Sequence, residues 1–313
     1  MGKVHLAFCI YAENPYGNPT ALRGEKYTTL FDSALEFGTR LNNCFGNRPR
    51  TVACVGSHIE AFVEYTDRAT VRKLYARNSE IANHTYSHSA VMPIQGLDQW
   101  YPRRILTPQE IRQELQQTAT VCRSVFRQHP VGFSAPCGFC KPLKPEIAHA
   151  IKAAGCTYSH SFTRGRGGAF FAPLEDQRKL RQPFQYPNGL VEIPLSGWQD
   201  VYNFPHWFRW LHRLRFGFSI PKTEQEILSS WNQLLNNALR LPHDIALSYM
   251  LHPAYMAGIP FVDRWGISHR QSGYDPDLTV LAQQLDAAKD RGIKIVPMKD
   301  LITFGRSTMK SRN

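Results

Sequence analysis

The sequence predicts a single α/β domain built on a mostly parallel sheet or barrel, and three observations predict it. Strand and helix patterns alternate from one end of the chain to the other, as β-α units do. No internal repeat and no dividing linker interrupts the 313 residues, a length that suits one large barrel. Several short apolar runs end in polar, chemistry-bearing residues, and α/β folds build their sites at the C-terminal ends of strands.

Val4 to Ile10 is an apolar run, with His5 inside it, and reads as a first buried strand. A Gly/Pro/Asn loop, YAENPYGNP, follows, then a helix from about Tyr27 to Leu41. Thr51 to Val55 is strand two, Arg68 to Ala76 a helix, and Ser79 to Ala82 strand three. Thr107-Pro108-Gln109-Glu110 opens the clearest helix: Thr107 is a good N-cap, Pro108 suits the first helical position and Glu110 completes a capping box. Gly132-Phe133-Ser134 begins a strand expected to end at the Pro136-Cys137-Gly138 loop, and Pro145 to Ala154 is a helix stopped by Gly155. A Gly/Arg-rich loop, Arg164 to Gly168, precedes a poorly patterned stretch to Asn188. Val191 to Leu195 and Ile245 to Leu251 are strands, the second ending at His252-Pro253. A helix from about Pro276 to Arg291, a strand from Ile293 to Val296 and a short helix from Lys299 close the chain. The expected domain is 1–303, with 304–313 a basic, flexible tail.

Composition narrows the function. A chain that is 42% hydrophobic and 12% aromatic is not disordered. No apolar run reaches the roughly 18 residues of a membrane span, and MGKVHLAFCIYAEN does not read as a signal peptide. Leu6 occupies the position where myristoylation needs Ser or Thr, so a cytoplasmic protein is expected. Seven irregularly spaced cysteines do not form a disulfide framework. Cys137 and Cys140 form a C-x-x-C flanked by Pro136 and Gly138, which suits a rigid loop better than a zinc or redox pair. The net charge of +12 favours an anionic partner: nucleic acid, lipid headgroups or an acidic glycan.

The densest chemistry lies in EIANHTYSH. His84 and His88 are four apart, close enough to share one zinc-like ion. A chance surface pair is the bland alternative in a chain with twelve histidines. The nine residues resemble the metal-binding motif of the polysaccharide deacetylase (NodB-homology) family, a strand ending in Asn and then H-[ST]-x-x-H. FRQHPVGFSAPCG, SYMLHP and DRGIKIVPMKDLI resemble later segments of the same family, so the likeness runs from strand one to about Leu301.

The resemblance implies a distorted (β/α)7-type barrel around a divalent metal, most simply Zn2+, that hydrolyses N-acetyl groups on amino sugars. Carried over by position, His84, His88 and Glu13 are the metal ligands and His252 is the general acid. Two positions depart from the family. Tyr11 stands where the catalytic base is an aspartate, and Ser134 where an arginine orients that base. Their joint loss makes physical sense, because an arginine beside a missing aspartate would be an unpaired cation costing several kcal/mol. A phenol with a pKa near 10 is a poor base at neutral pH. Ser134, Pro136, Trp198 and Asp200 are candidate substrate contacts, although Trp198 reads equally as core and Asp200 as a loop cap.

Trp207, Trp210, Leu211 and Leu214 share one helical face opposite Arg209, His212, Arg213 and Arg215. Such a stripe packs on a barrel or lies on an anionic membrane, where a lipid-linked sugar would be the natural substrate. Two rivals to the deacetylase reading stay open. Tyr11 and Ser134 favour a non-catalytic relative that binds glycan or a partner, and the charge alone favours a nucleic-acid-binding protein, for which no sequence signature is present.

Overall fold

The computed structural model describes residues 2–12, 25–93, 104–139, 141–162, 180–198, 223–258, 261–262, 268–269 and 275–307. The first half contains β1 (Val4–Ala12), α1 (Glu25–Phe45), β2 (Arg50–Cys54), α2 (Gly56–Tyr65), α3 (Arg68–Tyr75), β3 (Ser79–Asn83), α4 (Pro108–Phe126) and β4 (Gly132–Phe139). Next come α5 (Pro145–Ala153), β5 (Tyr158–Phe162), β6 (Phe184–Gln185), β7 (Val191–Glu192), β8 (Gly197–Trp198), α6 (Glu224–Leu239) and β9 (Ile245–Leu251). The last part holds α7 (Pro253–Ala257), β10 (Phe261–Val262), β11 (Ser268–His269), α8 (Thr279–Asp290), β12 (Lys294–Ile295), a 3-10 turn (Met298–Leu301) and α9 (Ile302–Ser307).

The main sheet is parallel apart from the short β6–β7 pair, and β1 lies at its centre, between β2 and β9. Its hydrogen-bonded path runs β7-β5-β4-β3-β2-β1-β9-β8. The two ends of this path belong to one stretch of chain. Val191 and Glu192 pair with β5, Leu195 N–H reaches Phe162 O, and then Ser196 N–H reaches Ser248 O as β8 joins β9. Counted as one staggered strand, 191–198 closes the sheet into a distorted barrel of seven strands. Side chains confirm the curl. Five strand spacings separate β5 from β9 along the sheet, about 24 Å if flat, yet His160 Nε2 and Ser248 Oγ are 3.2 Å apart.

The expected α/β barrel is therefore present, and local chemistry explains its elements. Thr107 caps α4 and closes a capping box with Glu110, as its sequence predicts. A second capping box, Thr223 with Glu226, starts α6. Gly132 is required by packing: a Cβ there would lie 2.0 Å from Tyr158 Cζ. Between strands and helices sits a core that includes Phe8, Phe45, Phe62 and Trp231. Cys9, Cys44, Cys54, Cys122 and Cys156 are free thiols.

Four expectations need correction. β4 does not stop at Pro136 but continues to Phe139, its register with β5 shifting between Ser134 and Phe139. β5 follows Thr157 directly, where only a loop was expected. α2 and α6 occupy stretches without an assigned element. Finally, the tail does not begin at 304: α9 runs to Ser307, Phe304 packs edge-on against His5, and a Cβ at Gly305 would meet Val191.

Candidate active site

Five strand ends deliver the site. β1 carries Tyr11 at its penultimate position, β3 ends in Asn83 and leads to His84, and β4 carries Ser134 and Pro136; β5 contributes His160, and β9 contributes Ser248 and leads to His252. Tyr11, His84, Ser134, Pro136 and His160 are buried, while His88 and His252 are half-buried. The Tyr11 ring meets His84 edge-on at 4.6 Å and stacks on His252 at 4.7 Å. The predicted histidines from β3 and β9 thus share one aromatic wall, with the phenol between them.

The two histidines of the motif face each other, their ring centroids 5.0 Å apart. A tight turn brings them together, and Thr85 and His88 adopt left-handed backbone with φ of 59° and 58°. The start of α2 holds this turn by its carbonyls: Gly56 N–H donates to Thr85 O, and Ser57 N–H and Oγ donate to Tyr86 O. Gly56 leaves room for the turn, since a Cβ there would lie 2.6 Å from the Tyr86 ring.

The pair fits a divalent ion. His84 Nδ1 lies 2.7 Å from Ser134 O. A carbonyl only accepts, so Nδ1 carries the proton and Nε2 has the unprotonated form that ligates metals. Two imidazoles bound at Zn–N distances of about 2.05 Å and a tetrahedral angle put their centroids about 5.2 Å apart, close to the observed separation. Among the described residues no group of three or more His, Cys, Asp or Glu is placed to hold a metal. Glu13, the predicted carboxylate ligand, lies outside the described residues, as do Asp200 and the Trp207–Arg215 stripe. Trp198 is placed in β8 opposite Met250, its side chain outside the described set.

Tyr11 and Ser134, the two departures from the family pattern, touch. Their hydroxyls are 2.5 Å apart across 123 residues of sequence. A third residue, which sequence reasoning missed, completes their setting: His160 on β5. Ser248 Oγ donates its proton to Pro194 O at 2.7 Å, so it accepts from His160 Nε2 at 3.2 Å. His160 therefore has its proton on Nε2, and its Nδ1 is an acceptor 3.3 Å from Ser134 Oγ and 3.5 Å from the Tyr11 hydroxyl. Ser134 directs its own proton toward His160, whose carbonyl is 3.1 Å away. The Tyr11 hydroxyl thus sits between the Ser134 hydroxyl and the acceptor Nδ1 of His160.

Complete burial, with a smaller contribution from neighbouring His84, pushes His160 down to about 3, so it is neutral. Nearby on β7, Glu192 is fully buried and pushed up to about 7 by desolvation. It accepts from Ser161 N–H, Phe162 N–H and the Tyr186 hydroxyl, and so anchors the end of β5.

Comparison with known proteins agrees with this fold. Residues 47–159 match the family model for polysaccharide deacetylase, a span that holds His84, His88 and Ser134. No curated protein sequence matches the chain. A Mycobacterium smegmatis structure assigned as a polysaccharide deacetylase superposes with TM-score 0.63 at 17% identity, covering 98% of this chain and 92% of that one. Puue allantoinase gives 0.56 at 14% identity, covering 98% and 91%. A Pseudomonas aeruginosa PAO1 structure, also assigned as a polysaccharide deacetylase, gives 0.55 at 15%, covering 97% and 91%. At these identities the structural likeness speaks for the fold, and the motif match speaks for the family. Together they give the chain the fold of these structures and, over residues 47–159, a likeness to polysaccharide deacetylases.

Proposed function

We propose that the protein is a metal-dependent deacetylase that hydrolyses the amide C–N bond of an N-acylated amino sugar. The observation that carries the reading is the His84–His88 pair, spaced for one ion and with the His84 tautomer fixed by Ser134 O. His84, His88 and Glu13 would hold the ion, zinc being the simplest choice for this donor set. Bound there, it supplies Lewis-acid polarisation of the acyl carbonyl and brings the pKa of water toward about 7.

The chain's own residues do the rest. His252, half-buried at the edge of the site, holds the proton that the leaving amine takes as the C–N bond breaks. Tyr11 braces His84 on one side and His252 on the other. Its hydroxyl, set between Ser134 Oγ and His160 Nδ1, orients a water or a sugar hydroxyl of the substrate.

A second reading has its own observation. The positions of base and orienter hold a neutral, mutually bonded Tyr–Ser pair, which favours a relative that binds the glycan without turning it over. Acetate release from N-acetylglucosamine oligomers, with and without added zinc or cobalt, separates the two. Metal-stimulated release that disappears in the His84→Ala/His88→Ala double variant supports the enzyme. Stoichiometric zinc with no release supports the binding protein, and a wild type holding no more zinc than the double variant ends the metal reading.

A further inference from the structure

The turn that joins His84 to His88 does not hold itself. Left-handed backbone at Thr85 and His88 is sparsely populated by residues with a Cβ and persists where surroundings over-determine it. The start of α2 takes the carbonyls of Thr85 and Tyr86. The N–H side of the turn is taken by one side chain, Glu114 of α4. Its Oε2 accepts from Tyr86 N–H and Ser87 N–H, both at 3.0 Å, and its Oε1 accepts from Ser87 Oγ at 2.6 Å. Ser89 Oγ lies 2.6 Å from Ser87 Oγ; with the Ser87 proton given to Glu114, Ser89 is the donor.

We propose that Glu114 is a positioning residue for the metal site: by holding the three donors of the turn, it sets the second histidine against the first. This rests on the metal reading above. Glu114 is one helical turn beyond Ile111 on the element fixed by the Thr107–Glu110 capping box, so its carboxylate is presented from a rigid support. Such outer contacts to ligating residues typically govern metal affinity by 10–100-fold.

Two variants separate positioning from charge. In Glu114→Gln the amide oxygen can take both N–H groups, and the amide NH2 can donate to Ser87 Oγ, so the contacts survive while the charge goes. In Glu114→Ala all three are lost. The measurements are zinc affinity by competition with a chromogenic chelator, and amide hydrogen exchange at Tyr86 and Ser87 in metal-free protein. For Glu114→Ala we expect zinc affinity about 10–100-fold weaker and exchange at those two amides at least about tenfold faster, with β1 and β9 protected as in wild type. Glu114→Gln should stay within about threefold of wild type in both. Unchanged affinity and protection in Glu114→Ala would overturn the proposal, as would a Glu114→Gln as impaired as the alanine variant. A wild type that binds no zinc sinks the site reading itself. Zinc in the wild type with an unaffected alanine variant sinks only the role of Glu114.

Discussion

The contact between Tyr11 and Ser134 turns a pattern in the sequence into a measurable coupling. The perturbation is to install the charged pair that the deacetylase resemblance implies, Tyr11→Asp and Ser134→Arg, singly and together. Ser134→Arg alone buries a guanidinium against a phenol and a neutral imidazole. An uncompensated buried charge of this kind costs about 3–5 kcal/mol. Tyr11→Asp alone removes a ring packed between His84 and His252 and leaves a carboxylate facing one hydroxyl, a loss of about 3 kcal/mol. In the double variant the arginine fills much of the space the ring vacates, and the two new charges pair across the old 2.5 Å contact. The sum of the single losses, about 6–8 kcal/mol, should therefore exceed the double by about 3 kcal/mol, the upper end of measured couplings between touching residues. Urea denaturation of the four proteins reads this directly. Acetate release from an acetylated amino-sugar oligomer reads the catalytic side, where the double alone should rise by about 10²–10⁴-fold over wild type. Additive stability losses would refute the claim that the two positions act as one unit. A wild type already as fast as the double would show that another group serves as base.

Two further predictions follow from buried polar groups. Glu192 has its folded pKa raised to about 7 from 4.5 by burial, so the native state keeps a proton that the unfolded chain releases in that window. Its contribution is fully present below about pH 4.5 and is lost as pH rises through about 7, by at most about 3 kcal/mol; Glu192→Gln should flatten this component when unfolding free energies at pH 5 and 7.5 are compared with wild type. Ser248→Ala deprives His160 Nε2–H of its acceptor inside the barrel and should cost about 1–3 kcal/mol in urea denaturation, while His84→Ala/His88→Ala zinc content gives an independent check on the site.

The parts of this fold that were legible in sequence are those in which local chemistry is self-contained. The α4 capping box needs only Thr107 and Glu110 to be recognised, and the strand ends at Asn83 and Leu251 carry their histidines with them. The same reasoning applied to Thr223 and Glu226 would have found α6. β5 was hidden for a physical reason. Its sequence, YSHSF, is buried at every position, but the inside of this barrel near the site is polar, so the strand lacks the apolar run that marks a core strand. The alternation of large Tyr158, His160 and Phe162 with small Ser159 and Ser161 was the available signal. α2 begins at Gly56 with no side-chain cap and so announces itself poorly. The joint reading of Tyr11 and Ser134 was accessible because they replace partners; that His160 is the third member needed the barrel to bring β5 across to β9.

That closure has a consequence for the chemistry of the site. Pro194 lies between β7 and β8, where the chain leaves β5 and has yet to join β9. Its carbonyl receives the Ser248 proton, which obliges Ser248 to accept from His160 and His160 to present an unprotonated Nδ1 toward Ser134 and Tyr11. The irregular strand that seals the barrel therefore also fixes which ring nitrogen His160 turns toward the phenol. An aspartate–arginine pair would hold the same place by charge; here it is held by the order of neutral donors and acceptors, anchored to backbone. Such an arrangement avoids leaving a buried ion unpaired, at the expense of the proton-accepting power that a carboxylate at position 11 would bring. The Tyr11→Asp/Ser134→Arg cycle tests what that phenol contributes by replacing the whole neutral pair at once.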